Sequence, residues 1–264
     1  MRLALKWLTN SLSYLWSGWG ALTSLLFFFA AWEMAAQYYG ELILPSPLVV
    51  LQQLSQLIAA GVALPELWIS AQRALIGLAL ALLVGSVLGL LAGFSLTSSM
   101  LARPLITLLL GMPPIAWLTL AMLWFSLGDT TAIFTVFIAC LPIVFAGAMQ
   151  GTRTLDNQLN ALAKVYRLPW WQRLTDIYIP HIISYLFPSW ITALGTSWKV
   201  VVMAELLSSS DGVGAALAIS RAQLDTPNLF AWIIAVLGLL LAAEYLLLEP
   251  IKRHVERWRG ASKV

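Results

Sequence analysis

The stretch TRTLDNQLNALAKVYRLPWWQRLTDIYIP, residues 152–180, is a polar interruption between two apolar runs, and its reading decides how the rest of the chain is arranged. Leu155, Leu159, Leu162 and Tyr166 recur at spacings of four, three and four, which lines one face of a short helix, with Asp156 near its positive N-terminal end. Pro169 pushes Leu168 out of the α region, so the chain turns there. It restarts as a second helix with a stripe of Trp171, Leu174 and Tyr178, which Pro180 is expected to close. A hairpin carrying Arg153, Lys164, Arg167 and Arg173 does not belong in hydrocarbon, and its apolar side is too large for a solvated loop. It calls for a protein partner at a membrane surface.

The membrane follows from composition. Of 264 residues, 60% are hydrophobic and 10% charged, with a mean hydropathy of +0.85, whereas soluble domains carry about 25% charged residues. The pI near 9.1 does not point to nucleic acid, because the basic residues are spread through short loops beside apolar spans. Cys140 is the single cysteine and lies in an apolar run, so no internal disulfide forms and packing is its expected role.

About six spans of the required ~20 residues are expected. Arg2 and Lys6 precede the first, about 19–36, whose apolar run exceeds the ~7–15 residues of a signal-peptide core. Pro45, Pro47 and Pro65 mark residues 40–69 as lying outside the membrane, with a surface helix over 49–58. The second span covers about 71–94, where Gly85, Gly89 and Gly93 are four apart and admit a closely packed helix. After a polar turn over 95–103, the third span covers about 105–127, with Met112-Pro113-Pro114 inside it. Prolines there mark either a simple kink or a place where freed backbone groups face protein or a watery cavity. The fourth covers about 131–151, the fifth 182–207 and the sixth 229–248, with a polar excursion over 208–228 and a basic tail. With the N-terminus inside, Arg2, Lys6, Arg103, Arg153, Lys164, Arg167, Arg173, Lys252, Arg253, Arg257, Arg259 and Lys263 all fall inside. Arg73 and Arg221 fall at or beyond the outer edge and Lys199 in a span. This asymmetry places both termini and the hairpin in the cytoplasm. No repeat or separate soluble domain interrupts residues 1–264, so a single transmembrane domain carrying the hairpin at about 152–180 is expected.

The hairpin resembles the coupling loop of the membrane permease subunits of ABC importers, which has a Glu-Ala-Ala start, a central Gly and a closing Leu-Pro. Counting back from Pro180 puts Ala161-Leu162-Ala163 on the Glu-Ala-Ala positions, Arg167 on the glycine and Ile179-Pro180 on the closing pair. An arginine in the left-handed turn that suits glycine would cost roughly 1 kcal/mol or more, so Leu168-Pro169 is expected to supply the break instead. Leu44-Pro45-Ser46-Pro47, the stretch 113–125 ending Leu123-Trp124-Phe125, residues 151–156, and Ala204-Glu205 followed by Gly212-Val213-Gly214 resemble the nitrate, sulfonate, taurine and bicarbonate group of these permeases, in order over about residues 30–250. The resemblance implies an all-α, type I importer architecture in a bacterial inner membrane. It also implies a second permease copy, a cytoplasmic ATPase dimer docked on Leu159, Ala161, Leu162, Ala163, Tyr166, Arg167, Leu168, Pro169 and Pro180, and a periplasmic or surface-anchored substrate-binding protein.

No Gly-rich phosphate loop is present, so ATP hydrolysis is expected in a separate subunit, and no cofactor or nucleic acid is implied. His181 and His254 lie outside the spans, and no His-Glu-x-x-His pair occurs. Met112, Pro113, Pro114, Trp117, Trp198, Lys199 and Glu205 are the candidates for a translocation path. A lysine within a span costs about 2.5–3.5 kcal/mol unless it meets protein or water. Lys199 therefore either contributes to an anion path, or snorkels, or pairs with an acid such as Glu205 or Glu33 from another helix. A secondary transporter or channel would need no apolar docking hairpin, and an intramembrane enzyme would need paired catalytic side chains that this sequence lacks.

Overall fold

A computed structural model describes residues 23–155, 161, 163 and 165–243. All described regular structure is helical: α1 (23–39), α2 (Pro47–Ala59), α3 (Ala63–Gly93), α4 (Leu96–Gly111), α5 (Pro114–Phe125), α6 (Asp129–Arg153), α7 (Trp170–Arg173), a π-helical turn (Leu174–Tyr178), α8 (Ile179–Ser208), α9 (Val213–Ala222) and α10 (Thr226–Ala243). Among the described residues four helices are long and apolar enough to cross a membrane, and the α4–α5 pair makes a fifth if it is counted as one span. The first expected span lies partly outside the described residues. Its described part, α1, is held by Trp32 Nε1 donating to the Pro45 carbonyl at 3.0 Å.

Helix α6 is the centre of the bundle. Val136, Cys140, Val144 and Ala148, four apart, are fully buried. On one side α3 approaches so closely that a Cβ on Gly77 would lie 2.7 Å from the Ile133 carbonyl oxygen, and one on Gly89 only 2.4 Å from that of Phe145. The small-residue stripe expected from the sequence therefore has α6 as its partner. On the other side α8 packs in the same manner, with Gly147 against Ser189 and Gly151 against Ile182.

Several boundaries differ from those expected. Helix α3 starts at Ala63, well before Ala71, because Pro65 occupies the first turn, where proline is compatible with a helix. The polar turn expected over 95–103 is reduced to Ser95, whose hydroxyl caps α4 by accepting the Ser98 N–H. The third span is broken: α4 and α5 meet at 92°. Pro113 holds Met112 extended, at ψ 125°, and Pro114 opens α5 at a position where a missing N–H costs nothing. Pro180 does not close a helix. It occupies the first turn of α8, and with the intervening π turn the chain is helical from Trp170 to Ser208.

At the end away from the hairpin, the three packed helices are joined by charge. Arg73 of α3 is 4% exposed; its Nη1 donates to Glu205 Oε1 of α8 at 3.0 Å, its Nη2 to Asp211 Oδ1 at 2.5 Å, and its Nε to Asp129 Oδ1 at the start of α6 at 2.9 Å. Glu205 is completely buried and also accepts from Ser70 Oγ at 2.6 Å and from the Gly214 N–H at 3.0 Å. Gly212 is needed beside it, for two reasons: its φ is +89°, and a Cβ there would lie 2.6 Å from the Glu205 carboxyl.

Two outcomes follow for the purified protein in detergent. Arg73→Met leaves Glu205 buried without its countercharge, a loss of about 3–5 kcal/mol, and should lower the unfolding temperature sharply; an unchanged Tm would show that the ion cluster does not hold the three helices. Gly89→Ala should likewise destabilise, because α3 and α6 must move apart. Gly238→Ala, with nothing within 4 Å of the added Cβ, should leave stability unchanged or slightly raised; equal effects at the two positions would overturn the packing assignment.

Candidate functional site

The hairpin starts where α6 ends. Arg153 Nη1 donates to Ser99 Oγ at 2.6 Å, tying this end of α6 to α4, and Thr154 Oγ1 lies 3.3 Å from His181 Nε2. Leu159 and Leu162, both expected at the docking face, lie outside the described residues, as do Asp156 and Lys164. Ala161 is exposed, Ala163 is buried, and Val165 and Tyr166 point outward at 78% and 71% exposure.

Arg167 takes the left-handed conformation, with φ +51°, that the glycine of the resembling loop suits. The expectation that Leu168-Pro169 would spare it this conformation is therefore corrected. The Leu168 N–H donates to the Ala163 carbonyl at 3.0 Å, a bond that spans six residues and closes the helix end around the left-handed residue. Pro169 then holds the extended linker, and Arg173 Nε donates back to the Leu168 carbonyl at 2.9 Å. Trp170 and Trp171 follow, with ring centroids 3.5 Å apart and about 60% exposure each. Trp171 thus faces outward, whereas Leu174 and Tyr178 of the same expected stripe, and Pro180, are half-buried. Val165, Tyr166, Trp170 and Trp171 together form an exposed apolar surface at one end of the bundle.

The path candidates separate into two groups. Met112, Pro113 and Pro114 occupy the α4–α5 bend, half-buried or exposed, and Trp117 is half-buried on the first turn of α5. Trp198 is instead 4% exposed and packs in the core shared by α3, α6 and α8. Glu205 is enclosed in the Arg73 cluster, so neither Trp198 nor Glu205 presents a surface, and Glu205 is not available to pair with Lys199. Lys199 is exposed and carries no ion pair or hydrogen bond among the described residues. It shares a face of α8 with Thr192 and Thr196.

Arg73, Ser70, Asp129 and Asp211 were not among the sequence candidates. The signal available was Ser70 and Arg73 three residues apart, one helical turn on the same face. At the same end a shallow cleft of about 200 Å³ is lined by Glu66, Asp211, Ala216 and Trp232, among others. Among the described residues no group of His, Cys, Asp or Glu is placed to hold a metal ion.

Residues 81–260 match the family model described as the binding-protein-dependent transport system inner membrane component. The chain is 30% identical over 221 residues to the aliphatic sulfonates transport permease protein SsuC of Bacillus subtilis (strain 168), covering 83% of this chain and 79% of the relative. It is 28% identical over 235 residues to the taurine transport system permease protein TauC of Escherichia coli (strain K12), covering 87% and 85%. It is also 28% identical over 198 residues to the nitrate import permease protein NrtB of Synechococcus elongatus, covering 71% of each. A chain of the MetNI methionine ABC transporter in an inward-facing conformation shares the fold, with a TM-score of 0.57 at 13% identity over 72% of this chain and 94% of that one. The chain is a multi-pass membrane protein and belongs to the inner membrane component family of binding-protein-dependent transport systems.

Proposed function

We propose that this chain forms the translocation path of an ATP-driven importer together with a second copy of itself. In this reading residues 1–264 make one transmembrane domain, both termini and the hairpin are cytoplasmic, and a cytoplasmic ABC ATPase dimer docks on the hairpin. A periplasmic or surface-anchored binding protein delivers the substrate at the opposite end. The substrate is a small solute of the nitrate, sulfonate, taurine or bicarbonate type, or a small vitamin precursor; the names of the relatives support the anionic members of that set.

The observation that carries this reading is the exposed apolar surface of Val165, Tyr166, Trp170 and Trp171 beside the left-handed Arg167. These four side chains at the polar end of a membrane bundle gain little from water. They gain from a protein groove, where an aromatic side chain buries ~150–250 Å². The same rod that begins at Trp170 ends at Ser208. Movement of the docked ATPases is thereby passed directly to the helix that carries Lys199 and Glu205, with the π turn at Leu174–Tyr178 as the place where the rod yields. The permease supplies the path and the leverage and performs no bond chemistry of its own.

Coupling is tested with Tyr166→Asp combined with Trp171→Asp. A carboxylate forced into an apolar groove without a partner costs several kcal/mol, so the ATPase should no longer copurify and uptake should fall by at least about tenfold. Copurification with normal uptake would show that the ATPase docks elsewhere. Topology is tested by single cysteines in a Cys140→Ser background, treated in intact cells with a membrane-impermeant thiol reagent. Asp211→Cys should be labelled from outside and Tyr166→Cys only after the membrane is opened; the reverse pattern would invert the assigned orientation.

A further inference from the structure

Lys199 lies nine residues before Ser208, about 14 Å along the helix axis at 1.5 Å per residue. Ser208 is at the level of the ion cluster, since its carbonyl accepts the Gly128 N–H at 2.8 Å, next to Asp129. Toward the hairpin the helical rod runs on to Trp170, several times farther. A four-carbon stem is shorter than the distance to either end of the rod, so snorkelling to a rod end does not account for this lysine.

Pairing does not account for it either. Glu205, Asp129 and Asp211 are engaged with Arg73, and the Glu66 carboxylate accepts the Gly212 N–H at 2.5 Å. None of the described carboxylates bonds to the Lys199 ammonium. The flanking residues Trp198 and Val200 are buried, so the exposed face is directional.

That face carries Thr192, Gly195, Thr196 and Lys199, at i, i+3, i+4 and i+7. Thr192 and Thr196 donate their hydroxyl protons back to the carbonyls of Pro188 and Thr192, at 3.0 and 2.8 Å, and keep oxygen lone pairs for water. Gly195, one turn before Lys199, has nothing within 4 Å of where a Cβ would be, so no other described part of the chain covers this face there. A row of polar groups ending in an unneutralised cation belongs to a water-filled passage and not to a lipid contact.

We propose that the Lys199 face of α8 is an anion subsite within the translocation path, for a small oxyanion that takes hydrogen bonds from the ammonium while water solvates the threonine side of the passage. The inference rests on the importer reading above and deepens it by placing a fixed positive charge on one named face of the path. In a symmetric pair each copy brings the same face, so two fixed positive charges without a countercharge among the described residues attract anions into the passage and turn cations away.

The test uses the assembled complex in membranes and needs no knowledge of the cargo. In a Cys140→Ser background, Thr196→Cys is reacted with an anionic and a cationic methanethiosulfonate of similar size, 2-sulfonatoethyl and 2-trimethylammonioethyl. The expected result is reaction with both, the anionic reagent being favoured by roughly tenfold relative to its reaction with a free thiol. The preference should persist with Lys199→Arg and vanish with Lys199→Met, and added nitrate or ethanesulfonate should slow the labelling where choline does not. Thr192→Cys serves as the second position should Thr196→Cys not assemble. A thiol silent to both reagents at both positions, or a charge preference unchanged in Lys199→Met, would overturn the subsite. Copurification of an ATPase with the unmodified complex is scored separately: its absence removes the importer reading, whereas its presence with a silent thiol removes the subsite alone.

Discussion

Arg73 and Glu205 form the contact on which the three central helices depend. Two charges taken out of water attract strongly but lose their hydration, so such a pair holds only when every remaining donor and acceptor is satisfied. Here that condition is met by contributions from several parts of the chain: Ser70 and the Gly214 N–H on the carboxylate, Asp129 and Asp211 on the guanidinium. The arrangement fixes the end of α8 against α3 and the start of α6. It also dictates the shape of the loop after Ser208, since Gly212 and Gly214 both lie where a Cβ would strike Glu205.

From this anchor the helices run toward the hairpin with little freedom to slide. Glycine and alanine on α3 let its backbone touch that of α6, and Gly147 and Gly151 do the same for α8. Close backbone approach replaces the hydrophobic drive that is absent between helices in lipid. The polar anchor and the exposed aromatic surface lie at opposite ends of one helical rod, and the π turn is the one described irregularity along it apart from Pro188.

In the hairpin an arginine occupies a left-handed turn. Arg167 has φ +51°, at a cost of roughly 1–2 kcal/mol for a non-glycine residue. The bond from Leu168 to Ala163 and the bond from Arg173 to Leu168 hold the turn regardless.

Much of this was legible in the amino-acid sequence because it depends on short-range periodicity and composition: a membrane chain, most of its span positions, the glycine stripe, the proline break at Met112-Pro113-Pro114 and the turn at Leu168-Pro169. What the sequence left open is what depends on distant residues meeting. Pro180 read as a terminator, and Pro65 as a mark of a stretch outside the membrane, because a proline in isolation stops a helix, but in the first turn it begins one, and only the bonds of the neighbouring residues tell which. Glu205 and Trp198 read as path residues because a span pattern does not say which face of a helix is covered; Arg73, 132 positions away, is what encloses Glu205. The face of Lys199 was decided in the same way, by packing that leaves it with Thr192 and Thr196 outside the core while its immediate neighbours are buried. Period and polarity are properties of consecutive residues, whereas the partner of a buried charge is a property of the assembled bundle.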